Sequence, residues 1–119
     1  MSFNWDSYLK FASELKNEKD EAKLRCAVSR GYYGAYHKTR NKLKFTSSEF
    51  VNHEKLIDSL RRNTEIKKSS TLANQLDALK QDRVKADYKT YEKIDVSFVT
   101  IFWARLERYL DKISAEEED

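Results

Sequence analysis

The 119-residue sequence contains no proline, one cysteine and two glycines. Without proline, no position forbids a long helix. A lone cysteine, Cys26, has no partner for an internal disulfide, which points to a reducing, cytoplasmic setting. No apolar run approaches the ~20 residues of a membrane span. The opening Met1-Ser2-Phe3-Asn4-Trp5-Asp6 lacks the basic and apolar blocks of a secretion signal. Strand-period alternation, internal repeats and low-complexity segments are all missing. So are a zinc-type spacing of Cys and His, a glycine-rich phosphate loop and a serine elbow, and the carboxylates are scattered. The expectation is a soluble protein with no metal and no cofactor.

One further absence is local. Between Lys23 and Ser48 there is no acidic residue, while Lys23, Arg25, Arg30, Lys38, Arg40, Lys42 and Lys44 are all basic. This stretch holds Ser29-Arg30-Gly31-Tyr32-Tyr33-Gly34-Ala35-Tyr36-His37, with both glycines, three of the seven tyrosines and one of the two histidines. The formal net charge is only +3, but four acids are gathered in the tail Glu116 to Asp119, and the remaining chain carries +7. That imbalance favours a polyanionic partner. A merely solvated surface would look the same from charge alone.

Apolar residues recur at helical spacing through most of the chain. Helix 1 is expected from about Asn4 to Asn17, with Trp5, Tyr8, Leu9, Ala12 and Leu15 in phase. Helix 2 is expected from about Asp20 to Lys44, with Leu24, Val28, Tyr32, Ala35 and Leu43 in one sector ~100° wide. Helix 3 would be capped by Ser47 or Ser48 and run to about Arg62, with His53, Leu56, Ile57 and Leu60 on one face. Ser70 or Thr71 would cap helix 4, whose stripe is Leu72, Leu76, Leu79, Arg83 and Ala86. Asp87 follows Arg83 by one turn, in pairing range. Helix 5, about Asp95 to Ser114, turns Val99, Phe102, Trp103, Leu106, Tyr109, Leu110 and Ile113 inward. The predicted fold is an all-α, up-and-down bundle of about five helices. It forms one domain over residues 1–115, followed by the acidic tail 116–119.

Helix 2 has a second face. Arg30 and His37 are seven residues apart, about 20° short of two full turns and ~10.5 Å along the axis. Their line runs roughly opposite the core stripe, with Cys26, Tyr33, Gly34 and Asn41 near it. Gly31 and Gly34 each weaken a helix by ~1 kcal/mol relative to alanine. In return a mid-helix glycine permits close approach of a backbone or a ligand.

An arginine with a histidine suits cleavage of RNA. Neutral imidazole takes the 2′-hydroxyl proton, and the imidazolium returns one to the leaving oxygen. Guanidinium holds the phosphate and stabilises the charge that builds on it. The attacking group is the substrate's own 2′-hydroxyl, so no metal or protein nucleophile is called for. Two such helices across a two-fold axis would gather two arginines and two histidines, with Gly34, Tyr33 and His37 at the dimer contact. Lys38, Arg40, Lys42 and Lys44 would attract the phosphate backbone without reading sequence. The plain alternatives are two exposed polar residues at Arg30 and His37, packing tyrosines, a core histidine at His53, an Arg83–Asp87 structural pair and a small buried Cys26.

The stretch from Lys23-Leu24-Arg25 through Ser29 to His37 resembles the HEPN superfamily, in particular its small stand-alone bacterial and archaeal members. The likeness extends to Trp5 and Leu9, to His53, and to Arg83 with Ala86-Asp87-Tyr88, and so covers most of the chain in order. It implies a helical bundle that dimerises to form a metal-independent endoribonuclease, with Arg30 and His37 as the catalytic pair. Tyr33, Lys38, Asn41, Lys44, Arg83 and Asp87 would be the RNA-binding or supporting residues. Such proteins leave a 2′,3′-cyclic phosphate and a 5′-hydroxyl. Many are toxins or defence effectors, often paired with a nucleotidyltransferase-type antitoxin. The chain departs from the pattern in two places. Active members often carry a polar residue directly after the arginine, where this chain has Gly31. Some toxins carry a tyrosine two residues after the histidine, where this chain has Thr39. The alternative implied by Gly31 is a non-catalytic module that binds nucleotide, RNA or a protein partner.

Overall fold

The computed structural model describes residues 3–45 and 52–115. It is an all-α bundle of five helices: α1 (Trp5–Leu15), α2 (Glu21–Lys42), α3 (His53–Arg61), α4 (Ser69–Tyr88) and α5 (Val96–Ala115). No strand occurs among the described residues. The expected tail 116–119 and the expected Ser47 or Ser48 cap lie outside them. None of the helices is long and apolar enough to cross a membrane.

The long α2 is the axis of the bundle and packs against all four other helices. Its expected stripe is buried at Leu24, Val28, Tyr32 and Ala35, and Leu43 packs at the edge of the core. Burial extends well beyond that stripe, to Ala27, Gly31, Gly34, Tyr36 and Thr39. The reason is the run of small residues. A Cβ placed on Gly31 would meet Leu106, Phe102 and Trp103 of α5 at 3.0–3.1 Å. One placed on Gly34 would lie 2.4 Å from Leu9 Cδ2 of α1. The close approach that each glycine permits is therefore made inside the chain, by α5 at Gly31 and by α1 at Gly34. Gly34, expected at a dimer contact, is thus met by Leu9 of the same chain.

Buried polar groups on this axis are paired. Trp103 Nε1 donates to the Ala27 carbonyl at 3.2 Å. Thr39, fully buried, donates to the Ala35 carbonyl at 2.8 Å and has its Oγ1 2.6 Å from the Tyr109 hydroxyl. Arg25 closes the other end of the bundle. Its guanidinium donates to the carbonyls of Ala86 at 2.8 Å and Lys85 at 3.2 Å, and to Glu92. It thereby satisfies the Ala86 carbonyl, which the end of α4 leaves without a helical partner, and shares the Lys85 carbonyl with the Lys89 amide. Glu21 completes the clamp, accepting from Arg25 Nη2 at 3.0 Å and from the Ile94 amide at 3.1 Å. The Ile94 bond and then the Arg25 guanidinium hold the Glu21 carboxyl below its ordinary pKa.

The starts of α3 and α4 differ from expectation. Asn52 caps α3, its side chain accepting from the Lys55 amide at 2.7 Å. α4 starts one residue before Ser70, after Lys68, which is left-handed at φ 56° and offers no side-chain cap. Lys44, just past the end of α2, is the other described non-glycine residue with positive φ, 63°.

Gly34→Ala gains about 1 kcal/mol of helix propensity, but overpacking against Leu9 costs about 1–3 kcal/mol. A net loss of stability is expected in urea titration. Leu9→Ala in the same chain should remove most of the penalty added by Gly34→Ala. Additive losses in the double variant would show that Leu9 is not what the glycine accommodates.

Candidate functional site

The exposed strip of α2 runs through Ala22, Cys26, Arg30 and Asn41, with Ser29, Tyr33 and His37 half-buried along its edges. Cys26 is exposed rather than buried as expected. The strip lies between α1 and α4, and each neighbour engages one edge.

On the α1 side, Trp5 lies flat on His37, with ring centres 3.7 Å apart and planes 4° from parallel. Arg30 Nη1 donates to the Tyr8 hydroxyl at 3.3 Å. Trp5 and Tyr8 are one turn apart on α1 and touch edge to face at 5.1 Å. Arg30 and His37 therefore share one side of α2, both against α1. Lys38 is tied to Asp6 at 2.6 Å. Burial first, then the Arg40 guanidinium and His53, lowers the pKa of His37 to about 4. Its ring is neutral at physiological pH.

On the α4 side, Ser29 donates to Asp87 Oδ2 at 3.1 Å, and Arg83 Nη1 approaches the same oxygen at 3.5 Å. The expected Arg83–Asp87 pair is thus present, but it is long and shared. Arg83 is only 6% exposed. Its guanidinium carbon lies 5.3 Å from the Tyr33 ring centre, 5.6 Å from Tyr32 and 5.8 Å from Tyr88. Its Nε is buried with no hydrogen-bond partner among the described residues.

His53 enters from the start of α3. Its Nδ1 lies 2.8 Å from the hydroxyl of the fully buried Tyr32. It therefore joins the strip with one ring nitrogen partnered. Tyr36 packs against both histidines of the chain, with ring centres 5.0 Å from His37 and 4.8 Å from His53. Arg40 lies over Tyr36, its guanidinium carbon 5.9 Å from the ring centre.

The structure thus gathers Arg30, Tyr33, His37, Arg83 and Asp87 along one strip. Lys38 is drawn to α1. Asn41 is exposed further along the helix, and Lys44 lies beyond its end. Sequence reasoning missed Trp5, Tyr8 and Asp6 as the groups that meet Arg30, His37 and Lys38. Their spacing on α1 was visible, but which side of α2 they cover depends on how the two helices pack. Tyr33, Gly34 and His37 do not form one free contact face, because Arg83, Leu9 and Trp5 respectively lie against them. No group of three or more metal-binding side chains occurs among the described residues. No protein-family profile, curated protein or solved structure matches the chain.

The low pKa of His37 sets a pH dependence of stability. In the unfolded chain a histidine takes its proton near pH 6.5, whereas in the fold it does so only near pH 4. Between those values the unfolded state binds more protons, so stability is lost as pH falls through the window. His37→Phe keeps an aromatic ring on Trp5 and removes this titration. The urea midpoint of the parent should fall further between pH 7 and pH 5 than that of the variant. Parallel losses would mean that His37 titrates as an ordinary exposed imidazole.

Proposed function

We propose that the protein is a metal-independent endoribonuclease of the HEPN type, with His37 as base and Arg30 as phosphate clamp. The observation that carries the reading is the state of His37. It is a neutral imidazole fixed in orientation by Trp5, on the same side of α2 as the exposed Arg30 guanidinium. A neutral ring can take the 2′-hydroxyl proton while the 2′-oxygen bonds to phosphorus and the bond from phosphorus to the 5′-oxygen breaks. The histidinium so formed is a stronger acid than an ordinary one and readily returns the proton to the departing oxygen. Arg30 places a planar cation at the non-bridging oxygens. The resemblance to HEPN proteins supports the same pair. Gly31 faces α5, where Phe102, Trp103 and Leu106 crowd its Cβ position. Its missing side chain is explained by packing in this bundle.

A second reading, binding of RNA or nucleotide without cleavage, draws on α1. Tyr8 engages Arg30, Trp5 covers His37 and Asp6 holds Lys38, so the three groups are already partnered within the chain. RNA bound but uncut by the parent would select it.

Cleavage of single-stranded RNA in the presence of a chelator tests the first reading. His37→Ala should lose about 10²- to 10⁴-fold in rate, and Arg30→Lys should also fail because the planar fork is gone. The rate should stay level as pH falls to about 5 and drop as pH nears the His37 pKa of about 4. A His37→Ala protein that cuts as fast as the parent would remove the assignment, as would a bend near pH 6.5.

A further inference from the structure

On the α3–α4 side of the same strip, we infer that His53 and Arg83 form an oxyanion-binding centre for a phosphate group, in which His53 acts through Nε2–H as a neutral, fixed donor. The proposal needs no cleavage chemistry and stands apart from the nuclease reading.

The tautomer follows from Tyr32. Its side chain is fully buried, and that burial pushes the phenol well above its ordinary pKa, so the hydroxyl keeps its proton. Among the described residues, the hydrogen-bond partner of that hydroxyl is His53 Nδ1 at 2.8 Å. A buried O–H without an acceptor costs free energy comparable to a lost hydrogen bond. Tyr32 therefore donates to Nδ1, and the neutral ring carries its own proton on Nε2. Burial first, then Arg83 and Lys80, lowers the pKa of His53 and keeps the ring in that neutral form. A neutral imidazole held this way donates one hydrogen bond in a set direction and adds no charge of its own.

Arg83 supplies the charge, and it is under-compensated. Guanidinium has five N–H donors. Here it has one bond to Asp87, at the 3.5 Å limit, and that oxygen also accepts from Ser29. Nε is buried and has no partner among the described residues. The Tyr32, Tyr33 and Tyr88 rings ease the burial of the cation but accept none of its hydrogen bonds. A buried cation whose single ion pair is this long is stabilised by an anion that accepts from it. His53 and Arg83 are neighbours around the same two rings. Tyr33 lies 5.8 Å from His53 and 5.3 Å from Arg83, and Tyr32 lies 5.3 Å and 5.6 Å from them. A tetrahedral oxyanion offers enough acceptors to take both sets of donors. The ligand is thus a phosphate, either free or part of a nucleic-acid strand.

The experiment is a nitrogen-15 NMR titration of the full chain with inorganic phosphate, with chloride as the ionic-strength control. A second arm uses a single-stranded oligoribonucleotide with 2′-methoxy groups, which cannot be cut by 2′-hydroxyl attack. The His53 ring should show the Nε2–H tautomer before any ligand is added, and its resonances should move saturably with phosphate. His53→Leu should weaken phosphate binding by about tenfold or more, the loss expected for one hydrogen bond to a charged group. His53→Gln, which retains an N–H donor, should recover part of it. Tyr32→Phe keeps the ring and the packing but frees the tautomer, so Nδ1–H should appear and binding should weaken. A shift with the oligonucleotide identifies a strand phosphate, and a shift with inorganic phosphate alone identifies a small ligand. The proposal is overturned by an Nδ1–H ring in the parent, by no saturable shift with either probe, or by unchanged affinity in His53→Leu. A parent that binds phosphate at His53 yet cuts no RNA would remove the nuclease reading alone. A parent that cuts RNA but shows no phosphate-linked shift would remove the oxyanion centre alone.

Discussion

The rest of the bundle depends on how closely α1 and α5 can approach α2. That approach is set by two missing side chains. Gly31 admits Phe102, Trp103 and Leu106, and Gly34 admits Leu9. With both neighbours drawn in, α2 is buried well beyond one stripe, and Tyr32, Tyr36 and Thr39 become interior groups that need partners. The Thr39–Tyr109 and Tyr32–His53 hydrogen bonds follow from that demand. So does the site. Leu9 seated on Gly34 brings the preceding turns of α1, with Trp5 and Tyr8, onto His37 and Arg30.

Three arginines show how one residue type divides among roles. Arg25 is held by Glu21 and by the carbonyls at the end of α4, so its charge serves to fasten α2 to the α4–α5 connector. Arg30 is exposed and held by one phenol, which leaves most of its donors for a ligand. Arg83 is buried under tyrosine rings with a weak carboxylate partner. In the sequence, Arg25 and Arg30 belong to one basic run, yet a pattern of charge cannot separate a clamp from a binding group. Only the position of the α4 C-terminus beside Arg25 does that.

What was legible in the sequence is what depends on period. Leu72, Leu76 and Leu79 on α4, and Phe102, Leu106 and Tyr109 on α5, are buried because residues three and four apart share a helix face. The Arg83–Asp87 pair followed from the same geometry. The shared side of Arg30 and His37 was also legible, since one helix fixes it. Contacts between helices were not. Nothing local to Trp5 says that it will stack on His37, and nothing local to His53 says that it will accept from Tyr32. Those pairings depend on the rotation and offset of whole helices. Cys26 was misread for the same reason, because the direction it faces depends on which neighbours wrap α2. The Asn52 cap had a readable signature, an asparagine three residues ahead of the Lys55 amide it accepts from, but serines earlier in the chain competed for the role.

Both glycines adopt ordinary right-handed helical geometry, while the two described positions with positive φ are lysines, Lys44 and Lys68. Glycine is thus placed where volume is limiting and is absent where backbone conformation is limiting. A left-handed lysine costs roughly 1–2 kcal/mol, and at Lys68 no side chain caps the helix in return. The start of α4 is therefore not encoded in its own residues alone. Asn63 shapes the turn before it through the Glu65 and Ile66 amides, and Ser69 reaches back to the Asn63 carbonyl. A peptide that begins at Ser69 would lose the Asn63 contact that marks its first residue. The helix boundary is a property of the assembled chain, and it ties the start of α4 to the turn that follows α3.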